Sequence, residues 1–383
     1  MNKFTAGTYK TCNQNTQSEY HYFLPNSLNR QYNFGAGKLL VTLEQATKAL
    51  GELNAYSELI PDIDFFIKMH ILSESVASSK IEGTQTNMED ALLPESDIKL
   101  DERDDRIEVH NYIKAMNQSI DNLHDFPVSM RLLKQSHKQL LSGARGKNKG
   151  PGEIRTSQNW IGGASINSAH FIPPHHQHLA EVLGDWEQFW HNNHTTPVLI
   201  KIALCHYQFE TIHPFLDGNG RIGRLFIILQ LIEANFLTRP ILYLSSFFEK
   251  NRQSYYQALD TVRQDNNLDQ WLIFFLEGIA TTAQQAKKTL RQIIKLKIDY
   301  ETRIIALGKK AINAKTALDF LYADPIISVK QLQQHLGLEY NATNKLVKDL
   351  SNLKILQEIT GQNRNRLFVM REYLLLFKQE SDE

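Results

Sequence analysis

Residues 213 to 224 read His-Pro-Phe-Leu-Asp-Gly-Asn-Gly-Arg-Ile-Gly-Arg, and no other stretch gathers so many reactive types so closely. His213 is a candidate general base, because imidazole titrates near neutral pH. Asp217 is a hard oxygen donor of the kind Mg²⁺ takes beside substrate phosphates. Gly218-Asn219-Gly220 is uncomfortable as helix interior and reads as a turn. The apolar run Leu225–Ile232 that follows reads as a buried helix. A glycine loop opening into a helix points backbone N–H groups and the positive helix end at an anion. Arg221 and Arg224, at i and i+3, add fixed charge on one face. These are the parts of phosphoryl or nucleotidyl transfer. Each alone has an ordinary structural reading, His213 as a packed histidine and Gly218–Gly220 as a plain turn; their coincidence favours chemistry. No G-x-x-x-x-G-K-[ST] P-loop occurs.

The segment resembles the core signature of the Fic family, H-P-F-x-[DE]-G-N-G-R-x-x-R, and every fixed position is met. The resemblance implies an all-helical core that moves AMP from ATP onto a protein hydroxyl. It covers about residues 35 to 290. Gly152–Arg155, Gln158–Gly163 and Phe171–Pro174 look like the family's β-hairpin flap, with Ile161, Gly162 and Gly163 as the edge that holds an extended target. Ser78-Ser79-Lys80-Ile81-Glu82-Gly83 looks like the family's inhibitory signature, [ST]-x-x-x-E-[GN], placed before the core. Ser78, Glu82 and Gly83 are its fixed members, and the resemblance implies that Glu82 pairs with Arg224. Tyr243–Ser245 and Asn251 through Tyr256 resemble the segment that closes over the nucleotide base. Position 220 bears on the reaction: family members that phosphorylate carry lysine there, and glycine goes with adenylylation.

On this reading His213 is the catalytic base. ATP is bound by Glu82, His213, Gly218, Asn219, Gly220, Arg221, Ile222, Gly223, Arg224 and Asn251. The side chain of Asn219 faces the α-phosphate, Asp217 holds Mg²⁺, and Phe215 anchors the loop in the core. The pKa of His213 is expected near neutral. The cofactors are ATP and Mg²⁺. His170, His175, His176 and His178 follow no common zinc spacing.

The elements that must position these groups are mostly helical. Leu43, Ala46, Ala49, Leu50 and Leu53 keep helical spacing. Pro61-Asp62 opens a longer helix through Ile71 that ends at Gly83 as its C′ residue. Residues 97 to 106 read as a charged loop, and 109–120, 127–141, 179–190 and 197–210 as helices. Residues 1 to 35 read as an extended arm. Residues 269 to 307 form a long helix, polar in its second half. From 311 the pattern changes to helix, Ser328-capped helix, helix and two strands around Gly361-Gln362-Asn363, a winged helix-turn-helix. The division is therefore 1–110 arm and helical region with the inhibitory motif, 111–290 Fic core, 291–310 helical linker, and 311–383 winged helix. The fold class is mainly α, with a small hairpin flap.

Basic and acidic side chains number 42 each, so the chain as a whole makes no case for nucleic acid or membrane. Met1–Ser18 has no apolar signal core, and no run approaches the roughly 20 apolar residues of a membrane helix. Cys12 and Cys205 make no disulfide framework, and the cytoplasm is the expected location. The expected partner is a protein bearing a Ser, Thr or Tyr hydroxyl, the chain itself included, with a homodimer left open. For the winged helix a protein-binding role is favoured over DNA: Lys345, Lys348, Arg364 and Arg366 could touch phosphate, but Glu339, Asp349 and Glu358 dilute them. Two further readings of function stay open: removal of AMP by the same site, and a nucleotide-sensing winged-helix regulator.

Overall fold

The apolar run after the motif dictates the centre of the molecule. A helix that is apolar on all sides must be buried on all sides, and helix α8 (Asn219–Glu233) is enclosed along nearly its whole length. The computed structural model describes residues 4–35, 37–60, 63–94, 103–143, 146–362 and 364–382. Within them α8 packs against α2 (Asp64–Ile81), α4 (Arg103–Asn122), α5 (Met130–Leu140) and α7 (Val198–Ile212). Helix α7 is itself buried on every side, and α6 (Leu179–Asn192) covers it. Helix α1 (Lys38–Glu58) lies along α11 (Leu268–Ile305), while the short α3 (Met88–Leu92) joins α2 to α4. Helices α9 (Ser245–Lys250) and α10 (Arg252–Asp265) close the remaining side.

Several expectations are adjusted. The extended arm is a hairpin: β1 (Gly7–Cys12) pairs antiparallel with β2 (Tyr20–Pro25), from Gly7 opposite Pro25 to Cys12 opposite Tyr20. Phe23 is its buried anchor, and the Phe23 N–H donates to the Ile172 carbonyl. The loop expected over 97–106 is already helix from Arg103, where Asp104 and Asp105 occupy the favourable first turn. Its earlier residues, like the Pro61-Asp62 opening and Asn363, fall outside the described residues. The expected linker stretch is the packed end of α11, where Ile293, Tyr300 and Ile304 are buried.

The C-terminal part contains α12 (Ala311–Ala323), β3 (Ile326–Ser328), α13 (Val329–Leu336), α14 (Tyr340–Asn352), β4 (Gln357–Glu358), β5 (Leu367–Val369) and α15 (Arg371–Asp382). The strands form an antiparallel sheet in the order β3-β5-β4. Ser328 and Gln331 make a reciprocal capping box at the start of α13, and Gly337 ends it at φ 64. Helix α15 was not expected from the sequence. With α12 it presses this part onto α2: Phe65 lies 5.2 Å from Tyr322, His70 lies 5.2 Å from Phe377, and Lys68 pairs with Asp324 at 3.0 Å.

Candidate active site

His213 ends α7 rather than continuing it. Its left-handed backbone, φ 48 and ψ 62, turns the chain out of one helix toward the next. An L-residue there is strained, and Arg155 supplies the restraint. The Arg155 backbone N–H donates to the Pro214 carbonyl and its Nε to the His213 carbonyl, both at 2.9 Å. Nη2 of Arg155 donates to the Pro174 carbonyl at 2.6 Å. The Asn159 amide adds bonds to the carbonyls of His213 and Phe215. The loop carrying the base is thus clamped by residues that also begin the flap.

Phe215 is fully buried, with the His137 ring stacked on it at 3.7 Å. The Gly152 N–H donates to Nδ1 of His137, so Nε2 carries the proton and donates to the Asp217 carbonyl at 3.0 Å. Burial pushes His137 down to about 4, which suits that neutral tautomer. Burial does the same to His213, which also falls to about 4, although the Glu82 carboxylate pulls the other way. The expectation of a near-neutral pKa is corrected downward: the ring is largely withdrawn from water, though not wholly buried, and its charged form loses hydration. At pH 7 it is the neutral, proton-accepting form.

Gly218 caps α8 at φ 75, a left-handed turn that a side chain would strain. A side chain on Gly220 would run into the Glu82 carboxylate, so that carboxylate lies directly over the first turn of α8. Glu82 thus occupies the anion position that the loop and helix end create. It reaches there from the end of α2, where Glu82 is the cap residue and Gly83 follows at φ 106. Its Oε1 pairs with Nη2 of Arg224 at 2.7 Å. Burial raises the Glu82 carboxyl, but Arg224 outweighs it and holds the group below its ordinary value. Ser78 binds the same guanidinium twice: Nε of Arg224 donates to the Ser78 hydroxyl and Nη2 to the Ser78 carbonyl, each at 2.9 Å.

The second arginine has a partner that sequence reasoning missed. Nη1 of Arg221 pairs at 2.9 Å with Glu108, which projects from α4. Nη2 lies 3.7 Å from Asp217. The Arg221 Nε is buried with no protein partner among the described residues. Nothing in the spacing of Glu108 marks it, because the pairing is made across the fold, over 113 residues. The Arg155 clamp was hidden for the same reason.

Four expected nucleotide contacts have other surroundings in the structure. The Asn219 side chain does not face a phosphate: Oδ1 accepts the Phe215 N–H at 2.8 Å and Nδ2 donates to the Phe215 carbonyl at 2.9 Å. It staples the loop, since a buried amide must satisfy both ends. Ile222 points into the core with no exposed surface, and its N–H donates to the Gly218 carbonyl. Gly223 faces inward too, where a side chain would meet the Glu210 carboxyl. Asn251 donates to the Phe247 carbonyl and lines a cavity of about 170 Å³ with His70, Ser73 and Lys250. That cavity lacks the phosphate-loop residues.

The flap is slighter than a two-stranded hairpin. Ile161 and Phe171 form a single antiparallel bridge, and Gly162 and Gly163 stand exposed at its turn. His170 ties it to α10 through Asp260 at 2.7 Å.

The residues present fit a nucleotide with its metal: a helix end already drawing a carboxylate, a buried Nε on Arg221, and Asp217 with a side chain 46% exposed. Among the described residues no group of three or more His, Cys, Asp or Glu stands ready as a self-sufficient metal site.

Comparison with known proteins agrees with the motif. A protein adenylyltransferase Fic from Aedes aegypti is 27% identical over 168 residues, 43% of this chain and 30% of that protein. Protein adenylyltransferase fic-1 from Caenorhabditis briggsae is 28% identical over 127 residues, 32% of this chain and 23% of that one. The matched region therefore spans under a third of either relative. Among solved structures, a Fic family protein from Desulfovibrio desulfuricans superposes with a TM-score of 0.57 at 18% identity, over 89% of this chain and 98% of that one. A Fic-1 fragment from C. elegans gives 0.51 at 18% identity, over 66% and 74%. At such identity these two speak for the fold. Residues 40–121 match the Fic/DOC family N-terminal region and residues 127–231 the Fic/DOC family itself, so this chain carries both Fic/DOC domains in tandem.

Proposed function

We propose that this protein transfers AMP from ATP to a hydroxyl of a protein target, itself included, and that Glu82 holds it in an inhibited state. The observation that carries the reading is the Glu82 carboxylate over Gly220, bonded to Arg224, in the anion position of the motif. ATP would place its α- and β-phosphates on the N–H groups from Gly218 to Gly220 and on Arg221. Asp217 would hold Mg²⁺, which supplies charge neutralisation for the leaving pyrophosphate. The target oxygen attacks the α-phosphorus, the bond from that phosphorus to the bridging oxygen breaks, and pyrophosphate leaves. His213 takes the hydroxyl proton; its neutral ring at pH 7 makes it competent to do so. The Ile161–Gly163 edge, exposed at its two glycines, would align the target segment through its backbone. Glu82 blocks the pose in which a γ-phosphate meets Arg224.

The finer parts of the reading belong with it. We also read residues 311–383 as a winged helix, a reading supported by the order of the described elements and the β3-β5-β4 sheet. The location is the cytoplasm, in keeping with the separate, free Cys12 and Cys205.

The test is incubation of wild type and Glu82→Gly with α-³²P-ATP, Mg²⁺ and a cell lysate. The expected result is label on protein, much stronger for the variant. No label from either protein overturns the transfer reading. Release of AMP from a pre-labelled target without ATP, lost in Glu82→Gly, would assign the site to removal instead. Asp217→Ala should abolish Mg²⁺-dependent transfer, and an unchanged metal titration would place the ligand elsewhere.

A further inference from the structure

Helix α2 carries Glu82 at one end and a cavity along its other half. The cavity, about 170 Å³, lies between α2, α9 and α11. His70, Tyr243 and Phe247 give it aromatic walls, and the rings of His70 and Tyr243 stack at 5.9 Å. The Tyr243 hydroxyl is spent on the Pro240 carbonyl at 2.7 Å. Burial lowers His70 to about 3, so that wall brings no charge at neutral pH. Ser73 and Gln285 add hydrogen-bonding groups, and Lys250 is exposed at the opening. The lining holds no carboxylate, and Lys250 makes no ion pair among the described residues. No residue of the 213–224 motif lines this cavity, and His70 precedes Glu82 by twelve residues, about 18 Å of helix.

The cavity is tied to the inhibitory end all the same. Ser245, next to the lining residue Ser246, grips the buried Glu74 of α2. Its N–H donates to Oε2 at 3.1 Å and its hydroxyl to Oε1 at 2.5 Å. The Tyr112 hydroxyl, from α4, donates to the same Oε1 at 3.0 Å. One turn further along α2, Ser78 holds Arg224. A molecule in the cavity touches Ser73 on α2 and Ser246 on α9, so it braces these two helices beside the bonds that seat α2.

We propose that this cavity binds a small aromatic carboxylate and that its occupancy favours the inhibited state. One ring suits the space, since a cavity of about 150 Å³ accepts benzene. The ring lies between the aromatic walls, and the carboxylate reaches Lys250, the only cation of the lining. The direction follows from linkage. The cavity is formed while α2 is seated and Glu82 meets Arg224, so a ligand that fills it stabilises that arrangement over one in which α2 has moved. The binding claim stands by itself; the inhibitory claim rests on the proposed function.

The test uses the full-length protein with para-hydroxybenzoate as probe. Binding is read by titration calorimetry and the state of α2 by hydrogen exchange. A Kd between about 0.1 and 1 mM is expected for a ligand of this size, with slower exchange over residues 70–83. The neutral amide of the probe, and separately Lys250→Gln, should weaken binding about threefold to fivefold, the worth of an exposed ion pair. Thr282→Phe fills the cavity from α11 and Ser246→Phe fills it from α9; each should abolish binding, with circular dichroism checking the fold. Saturating probe should lower wild-type self-modification about fivefold, the low end of allosteric coupling, and leave Glu82→Gly unaffected. No binding at about 10 mM probe, equal binding by the amide, or undiminished binding by a folded filled variant overturns the site. Unchanged exchange over 70–83, or equal inhibition of Glu82→Gly, overturns the regulatory half. Absence of label from every protein overturns the transfer reading instead, and calorimetry and exchange still decide this one.

Discussion

Arg224 and Arg221 stand one turn apart on α8, both nearly without exposed surface, and each meets a glutamate from the N-terminal helices. Their surroundings differ in one decisive respect. Arg224 is held by α2 at three bonds, and its glutamate lies over Gly220, in the anion position itself. Arg221 is held by α4 through Glu108 on the side of Asp217, and its Nε is buried with no protein partner among the described residues. On the proposed function the first pair excludes a phosphate and the second aims a guanidinium toward one. A buried ion pair is poor evidence of stability but a good positioning device, and here one geometry obstructs while the other orients.

The largest expected effect removes His213, the base of the proposed reaction. His213→Ala in a Glu82→Gly background should lower AMP transfer by about 10²–10⁴ while ATP still binds. Near-normal transfer would detach the arginines from any chemistry at His213. Next, Glu82→Gly alone should raise self-modification at least about tenfold, because displaced reactants lose orders of magnitude in rate. The gain should stop short of complete release, since the two Ser78 bonds to Arg224 survive the substitution. Adding Ser78→Ala should bring a further increase in kcat. An inactive Glu82→Gly would make the two pairs equivalent after all.

Glu108→Gln tests the other side. It should reduce transfer about threefold to tenfold, mainly by raising KM for ATP, because a charge-assisted bond to Arg221 is replaced by a neutral one. A gain in activity would show Glu108 to be a second inhibitor and erase the contrast. The pH dependence is a finer probe. Glu82 is held below its ordinary value, so the pair with Arg224 persists throughout neutral pH. The activity ratio of Glu82→Gly to wild type should stay constant from pH 6 to about pH 8. A ratio that shrinks toward pH 6 would mean that Glu82 is protonated there.

Stability should respond to acid more than activity does. Burial lowers His70 and His206 to about 3 and His137 and His213 to about 4. Their contribution is complete above the ordinary histidine value and fades as pH falls from there through 4, because the unfolded chain binds the extra protons. Glu74 and Glu210, raised by burial to about 7, act oppositely: theirs is complete below the ordinary carboxyl value and fades as pH rises through 7. The four histidines carry the larger combined shift, so the melting temperature should drop between pH 6.5 and 4. A rise over that interval would place the weight on the two carboxyls.

Local chemistry by itself determined much of this protein. The glycine turn and the apolar run after it make a loop that opens a buried helix, whatever packs around them. Helical periodicity followed by glycine put Glu82 at the end of α2. These are properties of neighbours within a few residues, where backbone preference and hydrophobic period decide. Tertiary structure decided everything that joins distant segments. It turned the Asn219 amide back onto Phe215, sent Ile222 and Gly223 into the core, gave Arg221 its partner on α4, and clamped His213 with Arg155. It also laid α12 and α15 on α2, so that the helix bearing Glu82 is gripped at its other half by the C-terminal part. The physical reason is common to all of these. A side chain's hydrogen-bond partner depends on which surfaces meet when apolar faces are buried, and that is set by the whole fold rather than by spacing along the chain.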